Sequence, residues 1–300
     1  MSDHKRVLIF GAGGMLGHKL YQQFRDRFDT WATIRGQYSR YGRYKLFDPE
    51  RICGGVDAYD FASVERTMRS VQPDVVINCI GIVKQLAAAN APIPSLELNA
   101  LGPHRLADLC RETNARLLHI STDCVFNGKR GNYTETDPSD AYDLYGRTKF
   151  FGEVGYPGTL TLRTAIIGRE ISSQNGLVEW FLSNRPKGSV RGFRNAIYTG
   201  FTTHALAEII AEVIDAFPTL SGVYQVSSEP INKYEMLLRL REAYNTDIQI
   251  EPYDDVRIDR SLDSTRFREE TGFIPPTWKG MIEQMADDPT PYDKWKEQGS

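Results

Sequence analysis

Tyr145 and Lys149 stand four residues apart in a stretch, Tyr142 to Val154, that reads as a helix, so the ammonium falls on the same face as the phenol and close to it. A free phenol titrates near about pH 10, and a neighbouring ammonium stabilises the phenolate and makes the group a usable acid nearer neutrality. Such an acid suits a reaction in which negative charge gathers on an oxygen. The run Arg116-Leu117-Leu118-His119-Ile120-Ser121-Thr122 brings further hydroxyls to a strand end, followed by Asp123 and Cys124. A solvated helix face and an ordinary strand-end hydroxyl would look the same in isolation. The elements around them decide for chemistry.

Those elements begin at residues 6–35. The apolar run Arg6–Phe10 breaks into Gly11-Ala12-Gly13-Gly14-Met15-Leu16-Gly17, resumes as a helical pattern from His18 to Asp26, and returns as a strand from Trp31 to Arg35. Strand, tight glycine turn and helix form the opening βαβ unit of a dinucleotide-binding fold. Without Cβ atoms at Gly11 and Gly14 the backbone can bend and approach a diphosphate. Gly17 lets helix and strand lie close, and the helix start at Met15 and Leu16 offers N–H groups to the anion.

Arg35 occupies the place where a carboxylate would hold a ribose diol, and Arg40, Arg43 and Lys45 follow with no acidic residue between them. This favours a ribose 2′-phosphate, hence NADPH over NADH, against the alternative of a solvated basic loop. A short third strand is expected at Gly55–Ala58, with Asp57 at its end to accept from adenine, and a helix at Phe61–Val71. The near-continuous apolar run Pro73–Gly81 predicts a strand buried on both faces that brings Asn78 and Gly81 to the cofactor side. A long helix is expected over Ser95–Thr113. In such a sheet the carboxyl ends of the strands line the ligand crevice, which places Ser121, Thr122, Asp123 and Cys124 there.

The 300 residues carry a net charge of −3, and neither this balance nor the local basic clusters suit a nucleic-acid backbone. The four cysteines, Cys53, Cys79, Cys110 and Cys124, form no C-x-x-C pair, so reduced thiols are expected rather than a disulfide framework or a metal site. The first apolar run is too short for a signal peptide or a membrane span, which predicts a cytoplasmic protein.

Gly11/Gly14/Gly17, the strand-end Thr122, Tyr145-x-x-x-Lys149 and Gly152-Glu153 together resemble the extended short-chain dehydrogenase/reductases. Within them, Gly13-Gly14-Met15-Leu16-Gly17, Ser121-Thr122-Asp123-Cys124-Val125-Phe126-Asn127-Gly128, Tyr133-x-Glu135-x-Asp137-Pro138 and Tyr145-Gly146-Arg147-Thr148-Lys149 resemble the dTDP-4-dehydrorhamnose reductases, closely over residues 6–170 and more loosely beyond. The fold expected is α/β: a doubly wound, Rossmann-type parallel sheet over residues 1–170, and a smaller, mixed α/β C-terminal substrate lobe over 171–300 with segments returning to the first domain. The resemblance implies NADPH-dependent reduction of the 4-keto group of a dTDP- or UDP-linked 6-deoxyhexose. Tyr145 would be the proton donor, Lys149 its partner at the phenol and the nicotinamide ribose, and Thr122 the hydrogen bond to the substrate oxygen.

Cys124 stands where the related 4,6-dehydratases carry a glutamate, which argues against elimination of water. It also stands where epimerase-reductases of the GDP-fucose synthase type carry a catalytic cysteine. None of the histidines His4, His18, His104, His119 and His204 falls between Arg163 and Trp180, where their second partner would be needed. A structural cysteine is therefore preferred. A non-catalytic subunit of the kind that partners methionine adenosyltransferase is the alternative of another class.

Beyond Arg163-Thr164-x-Ile166-Ile167-Gly168, an amphipathic helix is expected at Asn175–Leu182, with Trp180 packed in the core in preference to stacking on a ligand. Val190–Asn195 reads as a basic, aromatic loop expected to contact the diphosphate or base of a sugar nucleotide, with Arg191 the candidate and plain surface charge at Arg191 or Arg194 the alternative. Helices at Thr202–Phe217 and Lys233–Tyr244 flank a strand at Gly222–Val226. The segment Arg257–Phe267 resembles the family's late substrate-contacting stretch, with Arg260 and Ser264 as candidates. A final helix follows Trp278, the Asp/Pro-rich end from Asp287 is expected to be poorly ordered, and pairing into a homodimer is an analogy with relatives.

Overall fold

In a computed structural model, residues 4–85, 87–185 and 188–297 are described. The chain runs β1 (Arg6–Phe10), α1 (Met15–Phe24), β2 (Asp29–Thr33), β3 (Ile52–Cys53), α2 (Phe61–Val71) and β4 (Val75–Asn78). Next come α3 (Pro92–Ser95), a π-helical turn (Leu96–Leu101), α4 (Gly102–Glu112), β5 (Arg116–Thr122), α5 (Leu144–Phe151) and β6 (Thr159–Thr164). Seven strands form one sheet in the order β10-β6-β5-β4-β1-β2-β3, with β10 at Gly222–Gln225, and the pairs from β3 through β2, β1 and β4 to β5 are parallel.

Period-two alternation explains why these strands are apolar throughout. Leu8, Phe10, Val76 and Leu117 pack with Val64, Met68 and Val71 of α2 and Leu106, Ala107 and Cys110 of α4. Val7 and Ile9, equally buried, point to the opposite face. Each large apolar side chain so buried contributes about 1.5–3 kcal/mol.

The remaining elements are β7 (Ile166–Ile167), α6 (Leu177–Ser183), β8 (Ser189–Tyr198), β9 (Phe201–Thr202), α7 (Thr203–Ala216), β11 (Ile231–Asn232) and α8 (Lys233–Ala243), then β12 (Gln249–Asp259), α9 (Thr265–Thr271), α10 (Trp278–Ala286) and α11 (Tyr292–Glu297). β11, β8 and β12 form a mixed sheet, antiparallel on one side of β8 and parallel on the other. Gly192 lets α8 approach β8, because a Cβ there would meet the backbone of Tyr234. The chain divides into two compact units. One holds the chain through Ser121 with Asp143–Leu162 and Ala207–Val223; the other holds Thr122–Tyr142, Arg163–Leu206 and the chain from Tyr224. Among the described residues no helix is long and apolar enough to cross a membrane.

Several sequence expectations are corrected. The third strand lies at Ile52–Cys53, not Gly55–Ala58, because Ala32 and Thr33 of β2 pair with those residues. The second strand ends at Thr33, two residues before Arg35. The helix expected over Ser95–Thr113 starts at Pro92 and is interrupted by the π-turn. Val190–Asn195 is no loop: it lies in β8, paired to β12. Trp180 is 40% exposed, while Val178, Phe181 and Leu182 supply the buried face of α6. Over Asp287–Glu297 the expected disorder is not found, since α11 buries Tyr292 and Trp295 and its Asp293 and Lys296 pair with Arg169 and Glu179; residues 298–300 lie outside the described residues.

Candidate functional site

The glycine turn has the geometry that a diphosphate cradle requires. Gly11 takes φ +86°, a conformation costly for any other residue. A Cβ on Gly17 would overlap the Gly11 carbonyl, so only glycine lets α1 start this close to β1. Gly14 caps α1 with no side-chain hydrogen bond, and the first turn through Met15 and Leu16 carries no acidic residue, leaving the positive end of the helix to an anion. The basic loop reaches this turn: a Cβ on Gly13 would meet the Tyr41 hydroxyl, and Arg35 and Arg40 lie near enough to Tyr41 to oppose the rise in its pKa that burial causes. Arg35 is exposed. These features fit a bound dinucleotide.

Asp57 uses one carboxylate oxygen on the Tyr59 N–H at 3.1 Å, while its own N–H donates to Ser63 Oγ at 3.0 Å. Asn78 is buried at the end of β4, and Gly81 stands where a Cβ would press on Asn99 Oδ1.

Helix α5 is held in place from several sides. Its N-cap Asp143 accepts from the Gly146 N–H at 2.8 Å and pairs with Lys84 at 2.7 Å. At its other end a Cβ on Gly152 would overlap the Asn99 carbonyl of the π-turn, and Ser121 Oγ donates to Glu153 at 2.6 Å. Tyr145 is half-buried on this helix. Lys149 is 6% exposed and donates to the Ile120 carbonyl of β5 at 2.8 Å. Burial lowers its pKa to about 8, against the opposing pull of Glu153 and Cys79. The Cys79 thiol is itself pushed up to about 12 by burial.

In the second unit, Thr122 caps a 3₁₀ turn by accepting from the Cys124 N–H at 3.1 Å, and its hydroxyl donates to Asp123 at 3.2 Å. Burial raises the pKa of Asp123, and the Arg260 charge, hydrogen bonds from Cys124 and Thr122, and Lys233 draw it back. Arg260 also donates to the Phe126 carbonyl at 2.8 Å. Arg191 is exposed on β8 with its guanidinium over the Tyr253 ring, and Ser264 is 2% exposed and bonded to Ser227 and Arg268.

A family model described as "RmlD substrate binding domain" matches residues 5–290. The chain belongs to this family. Among relatives of this RmlD-type chain, "Methionine adenosyltransferase 2 subunit beta" of Mus musculus is 27% identical over 252 residues, 80% of this chain and 72% of its own length. A "dTDP-4-dehydrorhamnose reductase" of Mycobacterium tuberculosis is 33% identical over 171 residues, 54% of this chain and half of that protein. The solved dTDP-4-dehydrorhamnose reductase of Bacillus anthracis, in complex with NADP, superposes with a TM-score of 0.77 at 22% identity, covering 94% of this chain and 98% of that one.

Four residues of this RmlD-type chain that sequence reasoning did not place near the candidates lie beside them. His119 and Asn99 lie buried against Lys149 and α5, and Lys233 and Tyr198 lie close to Asp123 and Cys124. The phenol of Tyr198 is raised well above its ordinary pKa by burial and then by the charges of Asp123 and Cys124. Only His119 left a sequence signal, as a polar residue inside an otherwise apolar strand.

Proposed function

We propose that this chain is a cytoplasmic, NADPH-dependent oxidoreductase that reduces the 4-keto group of a dTDP- or UDP-linked 4-keto-6-deoxyhexose. The observation that carries this reading is α5, which sets Tyr145 one helical turn before a buried Lys149 tied to the Ile120 carbonyl. NADPH, when bound, supplies the hydride, with NADH as a poorer substitute. Gly11, Gly14 and Gly17 with the N–H groups of Met15 and Leu16 hold its diphosphate, and Arg35 holds the ribose phosphate. Asp57, Asn78 and Gly81 border the adenine and nicotinamide ends.

As the carbonyl oxygen gains negative charge, Tyr145 Oη gives it a proton, and the Lys149 ammonium stabilises the phenolate left behind. Thr122 turns its hydroxyl from Asp123 to donate to the same oxygen. Asp123, Cys124, Arg191 and Arg260 meet the nucleotide sugar. The buried Ser264 supports that segment from within. The family and the names of the reductase relatives support this reading.

The test is NADPH consumption with a panel of 4-keto nucleotide sugars. Turnover should appear with at least one member and fall by about 10²–10⁴-fold in Tyr145→Phe. The adenosyltransferase beta subunit, matched over 80% of this chain, favours a second reading as a cofactor-binding subunit. Cofactor binding without turnover on any of the panel would establish that one instead.

A further inference from the structure

The geometry points to His119 as a positioning residue: locked by Asn78 in the tautomer that carries its proton on Nε2, it presents a donor to Lys149 and so eases the ammonium toward the amine. This rests on the reading of Lys149 as the partner of Tyr145 and adds a residue to it.

The lock follows from what each group can do. The Ile80 N–H, which can only donate, reaches Asn78 Oδ1 at 3.0 Å and so fixes which end of the amide is the oxygen. Asn78 Nδ2, which can only donate, then faces His119 Nδ1 at 3.1 Å. Nδ1 must therefore accept, which excludes both the other neutral tautomer and the imidazolium. The one ring proton sits on Nε2, 3.5 Å from Lys149 Nζ.

Lys149 meanwhile spends a hydrogen on the Ile120 carbonyl at 2.8 Å. An ammonium has no lone pair to receive the Nε2–H, whereas an amine has one. The other groups acting on Lys149 are Glu153 just past α5 and Cys79 just past β4, both favouring the cation, and His104 of α4 acts against protonation of His119. Burial, then Lys149, then His104 hold the His119 pKa well below its ordinary value, consistent with a ring that stays neutral.

Burial already brings Lys149 down to about 8, within the working range of an enzyme, and the His119 donor carries it further toward the amine. Under the proposed function, turnover then falls on the alkaline side as Lys149 discharges.

The test begins with ¹⁵N NMR of the histidine rings in the unmodified protein. The expected result is a His119 protonated on Nε2 and unchanged from about pH 5.5 to about 8.5. Protonation on Nδ1, or a titration inside that range, overturns the inference without any variant. In His119→Phe, which keeps an aromatic ring but removes both ring nitrogens, the ¹³C-observed titration of Lys149 should move up by about one unit. An unmoved midpoint also overturns it. If the chain turns over 4-keto sugars, the alkaline limb of kcat should move up with it. If it does not, the function is refuted while the tautomer and the Lys149 midpoint still decide this inference.

Discussion

Replacing Lys149 by methionine removes a buried cation and keeps most of the apolar length of the side chain. The folded protein holds this lysine at about 8 against an ordinary 10.5, so between these values the unfolded chain binds more protons than the folded one. Stability of the parent protein must then rise with pH across that window. The cost of burying the group is complete below about pH 8 and gone above the unfolded value. A depression of about 2.5 units corresponds to roughly 3 kcal/mol at about pH 7, and less than about 1 kcal/mol of it remains at about pH 10. The Ile120 carbonyl loses its partner in the variant, which costs about 1–2 kcal/mol, but equally at both pH values.

The difference in stability between Lys149→Met and the parent should therefore shift by about 2–3 kcal/mol from pH 7 to pH 10, with the variant relatively more stable at the lower pH. Urea unfolding of both proteins at several pH values in this range measures it. A stability difference that stays constant with pH would refute the argument, because it would mean that Lys149 titrates alike in folded and unfolded chains. A gain in stability together with lost turnover would identify Lys149 as a group kept for function at a structural cost.

Two further outcomes follow from the same geometry. Gly152→Ala places a Cβ onto the Asn99 carbonyl, so the end of α5 must move; a loss of about 3 kcal/mol in urea unfolding, with faster amide exchange along α5, is expected, and an unchanged midpoint would show that the π-turn yields freely. Arg35→Glu, at an exposed position, should weaken NADPH binding by about tenfold or more in fluorescence titration while leaving NADH nearly unaffected, and equal losses for both cofactors would remove Arg35 from the ribose phosphate.

Much of this protein is written in local signals. The helix Phe61–Val71 and the strand Arg116–Thr122 have the ends that their periodicity predicts, since a run of apolar residues at the right spacing needs no distant partner to declare itself. The glycines of the first turn announce a backbone conformation and a close approach: Gly11 takes a positive φ, and Gly17 has no room for a Cβ. The four-residue step from Tyr145 to Lys149 likewise survives as one turn of α5.

Tertiary structure decided the rest, wherever the partner is remote in sequence. Val190–Asn195 became strand because β12 pairs with it from about sixty residues on, a choice that its own basic and aromatic residues do not signal. The Asp/Pro-rich segment Asp287–Glu297 is ordered because Arg169 and Glu179 bind Asp293 and Lys296 across more than a hundred positions of chain while Tyr292 and Trp295 find a core. The surroundings of Lys149 belong to the same class. Composition reveals a lysine one turn from a tyrosine, but burial, the Ile120 carbonyl and the fixed N–H of His119 set its charge, and only folding assembles those three.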